Sequence, residues 1–313
     1  MSRLLLLPLL LTMALTPPTQ YDRVVVLGDS LNDNGTFAPV TLTGKFTNGG
    51  GAIWTELLAA RHGVPLRPAY LFDGSEFIHQ PGGTNYAQSG TRVVAEEGMW
   101  EGYSRSVAWQ VDRLLEHDVD LERAVVLMDG GGPDLVGMGI RVAQDALTPE
   151  AALQEVEALA AAFAEQAERV AAAGPGKLVL IGVGNFGNVP AFGAGEGPLS
   201  PLMSRLSVAF NEGVVREAKA RGLDFVFIDT AALFDHVRQH PSWFGLVDVS
   251  VPSTPENMVP PTPTGHSANA HAGHLVSPDA DRTYLFADLL HLSTRGHEIL
   301  ADHAIARLGS GAR

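Results

Sequence analysis

The chain has 313 residues, with 35 acidic against 21 basic side chains and no cysteine, a formal net charge of −14. That balance disfavours nucleic acid and anionic membrane surfaces as partners, and the lack of cysteine excludes disulfides, thiolate nucleophiles and cysteine-based metal sites. A hydrophobic content of 45% argues against disorder and supports the core of one large α/β domain or two small ones.

Residues 1–16 read as a secretory signal: Arg3 precedes an apolar run, 4–15, interrupted by Pro8 and too short to span a bilayer comfortably. An uncleaved apolar segment is the other reading. Residues 17–313 read as a single domain. No later segment is apolar enough to cross a membrane and none before Arg313 resembles an outer-membrane barrel, so a secreted or periplasmic protein without stable membrane insertion is expected.

Residues 23–27 form a β-branched apolar run without polar alternation, the pattern of a strand buried on both faces of a parallel sheet. Gly28 breaks the run and sets Asp29 and Ser30 at the strand end, the edge where open α/β sheets bind ligands. Ser30 is there either a nucleophile or an ordinary turn and capping residue. A turn-rich loop follows, in which Asn48 either faces the site or serves a turn. A helix over 53–60 is stopped by Gly63. Residues 84–87 read as a short strand, and Ser89-Gly90 as the turn after it, where a glycine lets a backbone N–H approach a ligand closely.

A helix is expected over 104–118 and a buried strand over 124–128, running into Asp129-Gly130-Gly131-Gly132-Pro133-Asp134. This glycine run lacks the spacing and the Lys-Ser/Thr of a phosphate loop. Thr148-Pro149-Glu150 has the cap, proline and acid of a helix start, and the Ala-rich helix extends to about Ala173. A strand over 177–182, a loop over 184–190, a helix over 202–222, a strand over 224–228 and a helix to about Gln239 come next. Residues 247–281 read as a long Pro-rich loop, functional or mobile, which can cover a site. Its His266, His271 and His274 lack diagnostic metal spacing and read as solvated. In Asp288-Leu289-Leu290-His291 the carboxylate can bond His Nδ1 and leave Nε2 free to take a proton from a serine. A helix over 296–308 closes the chain, with His297 assigned to its start rather than to chemistry. Strands alternating with helices predict a parallel sheet covered on both faces.

Gly28-Asp29-Ser30-Leu31 and Asp288-x-x-His291 together resemble the first and last blocks of the GDSL (SGNH) esterases and lipases. Asn85-Tyr86-Ala87-Gln88-Ser89-Gly90 is similar to that family's second block, while 184–190 matches a further one only in position. The resemblance implies a flavodoxin-like three-layer α/β/α sandwich with a central parallel sheet. It also implies ester hydrolysis with Ser30 as nucleophile, His291 as base and Asp288 orienting it. The N–H groups of Ser30 and Gly90 would hold the oxyanion, with a small-molecule or lipid ester as substrate and no metal or organic cofactor. One position departs from the pattern: Pro133 stands where the family has an asparagine whose side chain donates to the oxyanion. Proline has neither that donor nor a backbone N–H, so weakened catalysis is expected unless another group, such as Asn48 or Asn85, substitutes. A nearly inactive module that binds an ester, glycan or lipid is the alternative.

Overall fold

The computed structural model describes residues 21–95, 104–255 and 267–310; the expected signal segment and His266 lie outside them. In chain order its elements are β1 (Arg23–Leu27), α1 (Trp54–His62), β2 (Tyr70–Phe72), β3 (Phe77–His79), α2 (Val107–Glu116), β4 (Ala124–Met128), α3 (Gly132–Ala143) and α4 (Pro149–Ala172). They continue with β5 (Lys177–Ile181), α5 (Ser200–Ala220), β6 (Val226–Ile228), α6 (Thr230–Gln239), β7 (Asp248–Pro252), α7 (Ala280–Thr283), β8 (Tyr284–Phe286) and α8 (Thr294–Ser310).

β1 is apolar without alternation because both its faces are covered. Val25 and Leu27 share a core with Val111 and Leu114 of α2, Phe163 of α4 and Phe210 of α5. Val24 and Val26 share the other with Trp54 and Leu58 of α1, Val237 of α6 and Leu300 of α8. Successive side chains of a strand point to opposite faces, so one short run builds both layers. The central sheet runs β1-β4-β5-β6, every pair parallel. Beyond β1 the extended segment 84–88 completes the edge: Val26 N donates to Thr84 O (3.0 Å), Tyr86 N to Val26 O (2.8 Å) and Gln88 N to Gly28 O (3.1 Å). With that segment beside β1 the order is the flavodoxin-like one, and with helices on both faces the architecture is the expected three-layer sandwich.

Helix starts follow their caps. Thr148 Oγ1 accepts from Ala151 N at 3.2 Å at the head of α4, and Ser106 Oγ accepts from Trp109 N at 3.1 Å at the head of α2. Three features depart from the sequence reading. Residues 132–143, read only as the continuation of a glycine run, form α3, entered through Gly131 in a left-handed conformation (φ 92°) with Pro133 in the first turn. The polar loop before residue 82 contains the antiparallel hairpin β2–β3. The stretch 247–281 is not loop throughout, since β7 pairs in parallel with β8.

Candidate active site

The turn after β1 is held from three directions. Gln110, on the buried face of α2, accepts from Gly28 N (2.7 Å) and donates to Gly28 O (2.9 Å), clamping both backbone groups of one residue. Asp129, at the end of β4, accepts from Asp29 N at 2.9 Å. Asn32 donates to Leu27 O (3.2 Å) and accepts from the indole of Trp54 (2.8 Å), fastening the turn to α1. Gly28 has φ 142°, and a methyl there would fall 1.4 Å from Asp129 Oδ1, so glycine is required both by conformation and by space.

His291 arrives from the loop between β8 and α8. Its Nε2 lies 2.8 Å from Ser30 Oγ, a hydrogen bond between residues 261 positions apart. Its Nδ1 lies 2.9 and 2.8 Å from the two carboxylate oxygens of Asp288. Asp288 Oδ1 also accepts from the N–H groups of Leu290 (2.9 Å) and His291 (2.8 Å), and Oδ2 accepts from Ser267 N (3.1 Å). Burial would raise the Asp288 pKa, but the His291 charge and these donors outweigh it and hold the carboxyl well below its ordinary value. For His291, burial works downward and the Asp288 charge and hydrogen bond upward; the imidazole ends above its usual pKa. Phe46 covers the ring, with centroids 5.1 Å apart.

Ser30 and His291 open into a cavity of about 310 Å³ that crosses the carboxyl ends of the parallel strands. Gly90, Pro133 and residues 184–186 and 188–189 line it, so the 184–190 loop forms a wall. Gly90 has φ 76°. Its turn is set by Asp33, whose Oδ2 accepts from Ser89 N (3.0 Å), and by Ser104, whose hydroxyl donates to Ser89 O. Neither Ser30 N nor Gly90 N donates to a protein group among the described residues.

Neither asparagine suggested as a substitute for the missing donor reaches the cavity. Asn48 donates to Ser253 Oγ (3.0 Å) and Thr254 Oγ1 (3.2 Å), and Asn85 donates to Asn32 O (2.8 Å), so both amides are committed to holding loops. Among the described residues of the 247–281 stretch none lines the cavity, and Ser267 supports Asp288 from behind; residues 256–266 lie outside the described ones. His271 and His274 stack with ring centroids 3.8 Å apart, and each Nδ1 accepts a backbone N–H. His297 is buried at the head of α8 and accepts from Trp54 N (3.3 Å); burial first, then the His291 charge, push its pKa down to about 3.

Sequence reasoning missed the acids beneath Ser30. Asp29 and Asp129 are buried side by side with their carboxyls hydrogen-bonded, and burial raises both, Asp129 further because Asp29 faces it. Two touching carboxyls in a low-dielectric site hold one proton between them. Gln110 was also missed, although a signal existed: it is the one polar residue on a stripe with Val107, Val111 and Leu114.

With this geometry in hand, the chain's likenesses have a clear meaning. It is 26% identical over 332 residues to proteins named esterase EstA in Pseudomonas aeruginosa strain PAO1 and in Pseudomonas putida, covering 94% of this chain and 48% of each of theirs. A further Pseudomonas putida protein, described as an uncharacterized protein in the trpE-trpG intergenic region, is 25% identical over 97% of this chain and 51% of its own. The chain thus spans about half the length of the curated relatives it matches. Among solved structures, an extracellular lipase from Streptomyces rimosus aligns over 92% of this chain and 99% of its own with a TM-score of 0.48 at 15% identity. A mutant of Axe2, an acetyl-xylooligosaccharide esterase from Geobacillus, aligns over 92% and 94% with a TM-score of 0.46 at 17% identity. Residues 24–304 match the family described as GDSL-like Lipase/Acylhydrolase, and the chain belongs to that family.

Proposed function

We propose that the protein hydrolyses carboxylic esters through an acyl-enzyme on Ser30. The observation that carries this reading is the 2.8 Å hydrogen bond from Ser30 Oγ to His291 Nε2, with Asp288 on the far nitrogen. His291 takes the Ser30 proton as Oγ attacks the carbonyl carbon, and the imidazolium is stabilised by Asp288. The tetrahedral oxyanion is held by the free N–H groups of Ser30 and Gly90. Collapse expels the alcohol, which takes the proton from His291. Water then attacks the acyl-enzyme with His291 again as base, releasing the acid and restoring Ser30. Ser30→Ala should lower kcat/KM for ester hydrolysis by at least about 10⁴-fold and abolish labelling by a fluorophosphonate; hydrolysis at the wild-type rate by the purified variant would refute the assignment.

The third donor of the oxyanion site is missing at Pro133. Removing one such donor costs about 10²–10³-fold in rate, so we propose an active but weakened hydrolase. Position 133 lies in the first turn of α3 and lines the cavity. Pro133→Asn should raise kcat about tenfold or more, with equal or lower turnover showing that two donors suffice. The proposed site of action, outside the cytoplasm, rests on residues 1–16 alone, and the mass of the N-terminus of exported protein tests it.

A further inference from the structure

The cavity has a direction. It begins at Ser30 beyond β1, passes Gly132 beyond β4 and Val183 beyond β5, and ends at Phe234 on α6, the helix after β6. Three strand spacings of about 4.8 Å make that path roughly 14 Å long. Its walls are mostly apolar: Pro133 and Val136 from α3, Val183 and Phe186 from the loop after β5, and Phe234, with Asn185 and Thr230 the polar side chains along this stretch. Phe186 lies against Gly132 beside the nucleophile turn, where a glycine methyl would come 3.4 Å from its ring. Past Phe234 the lining becomes polar. There Asn188 Nδ2 donates to Asp235 Oδ1 (2.7 Å), and Arg238 donates to the carbonyls of Asn188 (3.2 Å), Val249 (2.6 Å) and Ala194 (2.9 Å).

We infer that this groove receives the acyl chain of a medium-length, unbranched ester, about eight to twelve carbons long, in preference to acetyl or to long-chain acyl groups; the length follows from carbon–carbon bonds of about 1.5 Å laid zigzag along the path. The inference rests on the Ser30 acyl-enzyme reading. Of the three substituents on the attacked carbon, the oxyanion is held by the N–H groups of Ser30 and Gly90 at the start of the groove. The leaving oxygen stays with His291. The acyl chain is the one left to cross Gly132 towards β5 and β6. Pro133 belongs to this wall: the side chain that gives up a donor adds apolar surface at the start of the groove.

The test is kcat/KM for p-nitrophenyl esters from acetate to palmitate, in monomeric solution, with fluorophosphonate labelling of Ser30 in parallel. Each methylene that leaves water should raise kcat/KM about two- to fourfold. The octanoate-to-dodecanoate range should therefore exceed acetate by at least about 30-fold, and palmitate should fall back where its chain meets Asp235 and Arg238. A flat series, an acetate maximum, or palmitate equal to decanoate, with Ser30 labelled, overturns the inference and leaves the hydrolase reading standing. No hydrolysis and no labelling removes both. A series of acetate esters varied in the alcohol should be nearly flat; strong length dependence there would assign the groove to the alcohol. Phe234→Asn should lower the decanoate-to-acetate ratio at least about fivefold, and an unchanged ratio in the folded variant counts against the groove.

Discussion

One carboxylate carries much of the site's electrostatics at the residue scale. Asp288 accepts three backbone N–H groups and the His291 ring, and so remains ionised while raising the imidazole pKa. In the proposed mechanism neutral His291 is the base, and it is lost as pH falls through that raised value. The acid limb of kcat/KM should therefore lie above the ordinary imidazole pKa of about 6.5. Asp288→Asn removes the larger upward influence and leaves burial, which lowers, opposed only by the smaller effect of the Asp29 charge. Its limb should move to lower pH while kcat drops about 10³–10⁴-fold; an unmoved limb in a pH–rate profile would mean that another group sets it. Ser30, Asp288 and His291 were legible in the sequence because their chemistry lies in short local spacings at a strand end and within one turn. The roles of Asn48 and Asn85 stayed open in the sequence because an amide's partner is a matter of tertiary position. Nothing near Asn48 in sequence announces Ser253 as the group it will bond.

At the scale of elements, the join between β1 and β4 decides whether Ser30 is presented at the strand end at all. Gly28 must leave room for Asp129 and must offer both backbone groups to Gln110. Gly28→Ala places a methyl on a buried oxygen in a conformation that L-residues avoid, and should destabilise the fold by about 3 kcal/mol or more, measured by urea unfolding. A loss under about 1 kcal/mol would show that the Asp129 side chain moves aside freely. Strands β1, β4 and β5 and helices α2, α4, α5 and α8 were readable because period and caps agreed. α3 was not, because its first turn is glycine and proline, the residues that ordinarily punctuate loops; only Pro133 in the first turn and the spacing of Leu135 and Met138 hinted at it. β7 was hidden among prolines, which suit an edge strand better than an interior one.

For the molecule as a whole, several buried acids set an unusual response to pH. Asp33 and Asp134 are each raised by burial to about 6, and Asp29 and Asp129 are raised by burial as well. A carboxyl whose folded pKa exceeds its unfolded value near 3.8 favours folding when protonated. Its stabilisation is present below that value and is lost as pH rises through the folded one. Asp33 and Asp134 therefore weaken the fold as pH rises from about 4 through about 6, Asp29 and Asp129 act in the same direction, and the general repulsion of a net charge of −14 adds to both. Asp129→Asn keeps an acceptor for Asp29 N and supplies a permanent donor to the Asp29 carboxylate. It should raise Tm at pH 8 by about 2–4 °C or more and change it little at pH 4.5. A uniform shift across that range in calorimetry would show that no proton is shared.

The separation of Ser30 from His291 also has a consequence for biosynthesis. Translation at about 5–20 residues per second places roughly 13–50 s between the appearance of these two side chains. Throughout that interval the nascent polypeptide owns an alcohol with nothing to deprotonate it. On the proposed mechanism, a growing chain therefore cannot react at Ser30 until the segment that follows β8 has been made.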